Sequence, residues 1–539
     1  MNGRLTVVAA LFFFGVGSLF FQPWNTLLGL ASDRAEQPLS TPERIEQARL
    51  QELISPETAN LYLAYALLDS QELPKEYISS IPWDGTLVLL QLQNDIRARH
   101  LNSQTTETIQ ALLSSICSYS ANPLPNRFLS DHFFIEYASF GGDLGLNDYV
   151  NSLEASWMKQ VEQFEWAAPP VFQPNPAPGN RYPVRVTSLN PGLYGFVSTS
   201  GDNAGLVGDN QDTSWNEGDA YASCMVLNQD YTDFPGSPLT ALDATAAHEF
   251  NHAIQYGLGA LHGHNIPDPV FIEGGATWME DETFDEANDN YNYLWPFFSS
   301  CMSNYNRSPY PYWITFRGML EPFGTGLPEG GEEVMQLFWE LTSQNLDGNL
   351  GALNRAFERQ GTTLADVFHN YAIAVKFNRP CQAGYKRPYC LEEGPEYIAA
   401  AGSTPVHGAI SSVGSNFSGS VQDNFAINWV RLPENQGTYS VTLRNTSSGG
   451  ALRSSVVCDM GSTLRVQAMD EIASPNTEVS GADFNSNGCD SVVVVVTNQA
   501  MTAENPSICT ARSFQLLTSS RITPTPTPLL IYYFPFMPN

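Results

Sequence analysis

The sequence predicts an α+β chain in three parts: a helical N-terminal region, a central domain in which strands precede helices, and a C-terminal β-sandwich. Three observations predict it. Capped apolar runs at helical spacing come first, aromatic and branched strand-like runs then lead into long helices, and near residue 402 the apolar period changes from 3.6 to 2. With 539 residues, 42% hydrophobic and 12% aromatic, the chain has ample material for packed cores. The length points to about three domains.

Taken in order, Arg4 and the uncharged run Leu5 to Phe21 have the form of an export signal. Gly29-Leu30-Ala31 is a small-x-small cleavage sequence, so residues 1–31 read as a signal peptide or an uncleaved anchor. Ser40-Thr41-Pro42-Glu43 and Ser55-Pro56-Glu57 each place a cap, a first-turn proline and an acid before an apolar run. Residues 32–128 are therefore a helical region without a catalytic-looking cluster. It is open whether this is a propeptide that masks a site or a permanent subdomain.

Residues 129–402 form the expected central domain. Phe133 to Tyr137 is an aromatic strand, and Tyr149, Val150, Leu153, Trp157, Val161 and Phe164 recur at helical spacing. Tyr182 to Val186 and Ala222 to Leu227 are further strands, and helices with Val334, Leu337, Phe338 and Leu341 and then Val367, Phe368 and Tyr371 close the domain. Between the strands, residues 201–219 carry Asp202, Asp209, Asp212, Glu217 and Asp219 among Gly and Asn; the spacing is not that of an EF-hand, and the loop is kept as a Ca2+ candidate.

The stretch from Thr240 to Glu282 carries the chemistry. His248-Glu249-Phe250-Asn251-His252 matches H-E-x-x-H on a helix that Thr240 and Asp243 are expected to cap and Gly257 to stop. Positions four apart on a helix lie roughly 40° apart around its axis, so both imidazoles project toward one ion. Glu249 falls on the neighbouring face, where a carboxylate acts as a base without becoming a ligand. Glu273, in the following segment Glu273-Gly274-Gly275-Ala276-Thr277-Trp278-Met279-Glu280-Asp281, is the third ligand expected. Beyond it, Glu282, Asp285, Glu286 and Asp289 read as a solvated loop. The following Tyr291 and Tyr293 are phenols that could donate to an oxyanion.

Eight cysteines contain no C-x-x-C pair, which favours disulfides over a sulfur-ligated metal; Cys381 and Cys390 bracket a short loop and are the pair expected. Residues 403–518 alternate, with Tyr439, Val441 and Leu443 against Ser440, Thr442 and Arg444, and Val492 to Val496 is a buried run. Residues 519–539 are a Thr/Pro linker and an apolar tail too short to span a bilayer. Lys+Arg 25 against Asp+Glu 56 gives a net charge of −31, which repels nucleic acid and anionic membrane surfaces. Membrane contact is expected only through an N-terminal anchor, and oligomeric state is not legible.

HEFNH followed about twenty residues later by FIEGGAT resembles the gluzincin metallopeptidases, in which a downstream helix carrying E-G-x-A supplies a glutamate ligand. The resemblance implies a zincin-like catalytic domain binding Zn2+ through His248, His252 and Glu273, with Glu249 as general base. The longer pattern is similar to a bacterial group of secreted metalloproteases with AHEFxHAIQYG and EGxATWMED signatures, from about His132 through the aromatic loop after Asp289. There are departures. No G-x-M-E-N exopeptidase signature is present, and Thr277 stands where thermolysin-like enzymes have an aspartate. The partner of a ligand histidine is left between Glu280 and Asp243. The long C-terminal histidine segment is also not evident, which leaves the transition-state donor among Tyr256, Tyr291, Tyr293 and His264, with Tyr256 and Tyr293 taken as catalytic candidates. The expected function is a secreted zinc endopeptidase acting on proteins or peptides. The alternative is a surface adhesin with a structural or vestigial zinc site.

Overall fold

The computed structural model describes residues 39–520 except 262–265, 295–299, 303–307, 324–330, 345–348, 383, 482 and 502–508. The expected export signal, the C-terminal tail and the donor candidate His264 lie outside the described residues. The chain is mixed α/β, with twelve α-helices and several sheets among the described residues.

Four helices come first: α1 (Thr41–Leu50), α2 (Pro56–Leu68), α3 (Thr86–Arg97) and α4 (Ser103–Ser114). The two predicted starts are present. Ser40 and Glu43 form a reciprocal capping box on α1, and the Ser55 hydroxyl accepts from Thr58 N–H on α2. These helices do not form a separate unit. Leu67, Trp83 and Leu89 share one buried core with Phe134, Phe196 and Val226 of the central sheet, and a disulfide joins Cys117 to Cys224. The core therefore crosses the boundary expected near residue 128.

The central sheet is built from β1 (Asn126–Leu129), β2 (Phe133–Tyr137), β3 (Tyr182–Thr187), β4 (Gly195–Ser198) and β7 (Cys224–Asn228), with α5 (Leu146–Trp157) between β2 and β3 and the two-stranded ribbon β5 (Gly205–Gly208) and β6 (Ala220–Ala222) between β4 and β7. Its order is β1-β2-β3-β7-β4. Strands β2, β3 and β7 are parallel, whereas β4 runs antiparallel to β7 and forms one edge. Parallel central strands buried on both faces explain the continuous apolar run Met225–Leu227, and in β3 the buried Arg185 between Val184 and Val186 is paired with Glu136 at 3.0 Å.

Two long helices follow, α6 (Pro238–Gly257) and α7 (Pro269–Thr283), both buried along almost their whole length. The predicted caps of α6 are displaced. Ser237 caps it, its hydroxyl accepting from Thr240 N–H at 3.1 Å, while Asp243 accepts from Ser152. Gly257 is helical, and glycine is needed there because a side chain would meet Pro170 at 2.7 Å; the left-handed residue is Gly259. Then come α8 (Trp313–Leu320), α9 (Glu332–Ser343), α10 (Asn349–Arg359), α11 (Leu364–Phe377) and α12 (Gly394–Ala401). The acidic stretch after α7 is only partly solvated. Glu282 is buried against Arg317 at 2.6 Å and Asp289 is buried beside Tyr194, whereas Asp285 and Glu286 are exposed. The Arg317 guanidinium makes Glu282 a core residue, and the Tyr194 hydroxyl and Asn292 amide do so for Asp289, which charge alone does not reveal.

The C-terminal part is β8 (Gly408–Ala409), β9 (Asn416–Gln422), β10 (Ala426–Leu432), β11 (Thr438–Asn445), β12 (Leu452–Asp459), β13 (Leu464–Ala468), β14 (Glu478–Ser480), β15 (Phe484–Asn485), β16 (Ser491–Asn498) and β17 (Ala511–Ser520). One sheet has the order β13-β12-β16-β10-β8 and the other β14-β11-β17-β9, with β15 on β11. The valine run of β16 is buried on both faces: Val492, Val494 and Val496 join the core between the two sheets, while Val493 and Val495 join the core of the central helices. Cys381 pairs with Cys390 as expected, Cys458 with Cys489, and Cys509 reaches back to Cys301. No helix among the described residues is long and apolar enough to cross a membrane.

Candidate metal centre

On α6, the four-residue spacing brings His248 Nε2 and His252 Nε2 to 3.0 Å. From α7, Glu273 Oε2 lies 3.0 Å from the first and 3.5 Å from the second. Four ligands about 2.05 Å from one ion stand about 3.3 Å apart at the corners of a tetrahedron, so these three atoms already have the spacing of one face. The fourth member comes from the N-terminal region. Asp84 offers an oxygen that lies with the other three atoms within 4.8 Å of one another, and all four residues are buried. Among the described residues this is the one His/Cys/Asp/Glu group that could hold a metal ion.

The outer nitrogens are fixed as well. His248 Nδ1–H donates to Glu280 Oε1 at 2.6 Å and His252 Nδ1–H to Gln255 Oε1 at 2.9 Å. With Nδ1 engaged outward, each ring turns Nε2 toward the centre, where it is the nitrogen available to an ion. Gln255 passes the constraint on: its Nε2 donates to Asn251 Oδ1, Asn251 to Gln160 Oε1, and Gln160 to the Ala247 carbonyl. Gln160 sits in the π-helical turn Met158–Gln163 that prolongs α5. Of the two partners considered for a ligand histidine, Glu280 makes the contact and Asp243 does not. Thr277 is buried and its hydroxyl has no hydrogen-bond partner among the described residues.

Glu249 is fully buried, with Oε2 accepting from the Thr86 hydroxyl at 3.0 Å and its carboxyl within hydrogen-bonding reach of Asp84. Burial, and then the Asp84 charge, push it well above the usual carboxylate range. Burial likewise raises Glu280 to about 8 against the opposing pull of His248. Burial works on Glu273 too, but the charge of His252 and hydrogen bonds from both imidazoles hold it down to about 2. Glu273 Oε1 is buried without a hydrogen-bond partner among the described residues. Four buried carboxyl groups around two imidazoles, three of them with an oxygen that has no hydrogen-bond partner among the described residues, form a donor set suited to a divalent cation that accepts nitrogen and oxygen.

The phenols sort by position. Tyr256 is fully buried in the last turn of α6, where the charges of Glu249 and Glu273 act on it. Tyr293 stacks on Tyr310, with ring centres 5.1 Å apart. Tyr291 turns away, packing on Trp313 and Tyr397 with its hydroxyl toward Glu393. Tyr310, which the sequence did not single out, lies with its ring 6.2 Å from that of His248, is half-buried, and feels Glu273, Asp84, Glu249 and Glu280. Gly274 makes this possible, because a side chain there would come within 3.1–3.2 Å of Tyr312, Phe316 and the Pro309 carbonyl.

The acidic loop at 201–219 uses its carboxylates locally: Glu217 accepts from Asn210 N–H and the Thr213 hydroxyl, and Asp212 from Ala168 N–H.

No family model matches the chain. No curated protein matches it. A solved structure described as the crystal structure of PirA aligns with 15% identity over 19% of this chain and 92% of that one, with a TM-score of 0.15, too low to carry an argument.

Proposed function

We propose that this chain is a zinc-dependent endopeptidase of the gluzincin type, exported from the cell. One observation carries the reading: His248 Nε2, His252 Nε2 and Glu273 Oε2 converge within 3.0–3.5 Å while Glu249, on the same helix, brings a buried carboxyl to the same centre without joining that triangle. A site that only held a metal in place would have no use for that second carboxyl. The fold reading that accompanies it is a zincin-like domain, with α6 and α7 under a sheet whose edge strand β4 runs antiparallel, followed by a β-sandwich. Four disulfides accord with an oxidising compartment.

In this reading His248, His252 and Glu273 hold Zn2+, with Glu280 and Gln255 orienting the two rings. Zinc bound there supplies Lewis acidity, lowering the pKa of water from 15.7 toward about 7 and polarising the scissile carbonyl. Glu249 takes the proton of the attacking water and delivers it to the leaving amine, a role worth on the order of 10²- to 10⁴-fold. Tyr310 is placed to donate its hydroxyl hydrogen to the oxyanion. Tyr256 and Tyr293 remain candidates behind it, because one is enclosed in the core and the other reaches the centre through the Tyr310 ring.

The test is cleavage of casein by the purified chain with and without a chelator. Metal-dependent cleavage that Glu249→Gln abolishes supports the peptidase. A second reading, a surface binding protein with a structural metal site, draws on Asp84 as a fourth protein donor. Stoichiometric metal together with no cleavage under any loading would favour it.

A further inference from the structure

We propose that Asp84 is a fourth ligand of the metal and that Pro82–Thr86 is a built-in inhibitor, so that the chain folds into a latent form. The latency half of this proposal rests on the peptidase reading; the ligation half does not.

Three independent contacts of one short segment converge on the centre. Asp84 offers its carboxylate to the same four-atom group as His248, His252 and Glu273, and Thr86 N–H, donating to Asp84 Oδ1 at 3.0 Å, fixes its orientation. A metal site that activates water keeps one position open, and a fourth protein ligand fills it. Two residues on, the Thr86 hydroxyl donates to Glu249 Oε2 and accepts from Val197 N–H, both at 3.0 Å. The base is thereby tied down as well.

The third contact is with the sheet. Strand β4 is an edge of the central sheet, and an edge offers unpaired N–H and C=O groups to an extended peptide. That side is taken by the segment and the turn leading into β4: Trp83 N–H donates to the Gly192 carbonyl at 2.8 Å, Tyr194 N–H to the Trp83 carbonyl at 3.1 Å, and Gly85 N–H to the Gly195 carbonyl at 3.0 Å. The pairing is parallel. Gly85 is required for it, because a side chain there would meet Leu67 at 2.7 Å and Phe196 at 2.9 Å. A substrate strand and this segment compete for one edge, one coordination position and one carboxylate.

Release of the segment draws Trp83 out of the core it shares with the sheet, so the latent form is held by packing as well as by ligation. Upstream of Trp83, the connection from α2 is irregular and exposes Gln71, Glu72, Lys75, Glu76 and Ser80, whereas the chain beyond α4 is tied to the sheet by Cys117–Cys224. The disulfide keeps the end of α4 beside the sheet when the segment and the start of α3 move.

The experiment compares the full chain with Asp84→Ala and Asp84→Asn, each loaded with cobalt(II). The asparagine variant keeps an acceptor for Thr86 N–H and guards against a folding defect. Both variants are expected to retain one metal per chain, to show an altered visible spectrum and to become responsive to acetohydroxamate, to which the parent is inert. Casein cleavage by the zinc-loaded variants is expected to rise at least about tenfold, since a seated segment lowers the competent fraction. An unchanged spectrum, or loss of metal as complete as in Glu273→Ala, overturns the ligand assignment. An altered spectrum with equal cleavage by parent and variants overturns latency and leaves the peptidase standing. An altered spectrum with no cleavage by any form overturns latency and the peptidase reading together, leaving a four-ligand structural site.

Discussion

Glu280 Oε1 accepts a hydrogen bond from His248 Nδ1 at 2.6 Å, and both groups are buried. The contact joins the end of α7 to the middle of α6 and sets which nitrogen of His248 faces Glu273. Glu280→Gln should keep the fold, because the amide oxygen can still accept, while metal affinity falls about 10- to 100-fold, as is usual when the partner of a ligand histidine loses its charge. Glu273→Ala removes a ligand and should lose the metal altogether. Metal content after dialysis against graded chelator distinguishes the two; if Glu280→Gln loses the metal as completely as Glu273→Ala, their roles are reversed.

Glu249→Gln should leave metal content and unfolding temperature close to those of the parent, since the amide oxygen still accepts from Thr86 and the side chain is not one of the three central ligand atoms. Turnover should fall by about 10² to 10⁴. A variant keeping more than about a tenth of the parent rate could not have lost its general base.

Tyr310→Phe removes the hydroxyl of a ring whose centre lies 6.2 Å from that of His248 and keeps the ring that stacks on Tyr293. If the phenol meets the oxyanion, kcat should fall about 10²- to 10³-fold with KM and metal content nearly unchanged. Tyr256→Phe and Tyr293→Phe provide the comparison. A larger loss in either than in Tyr310→Phe would move the donor role to that residue.

The parts of the centre legible in the sequence are those set by local geometry. The spacing of His248 and His252 is a property of any helix, and Glu273 could be found because the same stretch of chain returns at once as a second helix. Glu280 was one of two partners in view for the same reason. Gln255, three residues after His252, was within reach of the same reasoning but was hidden among helix-end residues. Asp84 had no such signal. It lies 164 positions before His248 in a region read as plain helices, and only the pairing of Trp83 and Gly85 with the approach to β4 brings it to His248, His252 and Glu273. Tyr310 likewise depends on Gly274 allowing a close approach between segments far apart in sequence. The strands and helices themselves followed period and punctuation. The valine run of β16 was readable as buried, but not as the layer shared by two cores.

That shared layer gives the chain an acid sensitivity away from the metal. His369 on α11 is buried against the face of the C-terminal sheet, with Nδ1 2.8 Å from the Thr497 hydroxyl and Nε2 2.9 Å from the Ser455 hydroxyl. Burial, then the nearby Arg453, push its pKa down from 6.5 to about 3. Above about pH 6.5 the ring is neutral in folded and unfolded chains alike, so it adds no pH dependence. Below that, the unfolded chain takes up a proton that the folded chain refuses, and stability falls with pH until about 3. The slope approaches about 1.4 kcal/mol per pH unit, or about 2 kcal/mol lost between pH 6.5 and 5. His369→Gln keeps a donor and an acceptor for the two hydroxyls but cannot titrate. Its stability should therefore fall by about 2 kcal/mol less than that of the parent between pH 7 and 5, as measured by denaturant unfolding at each pH. Equal losses in the two proteins would place the acid sensitivity elsewhere.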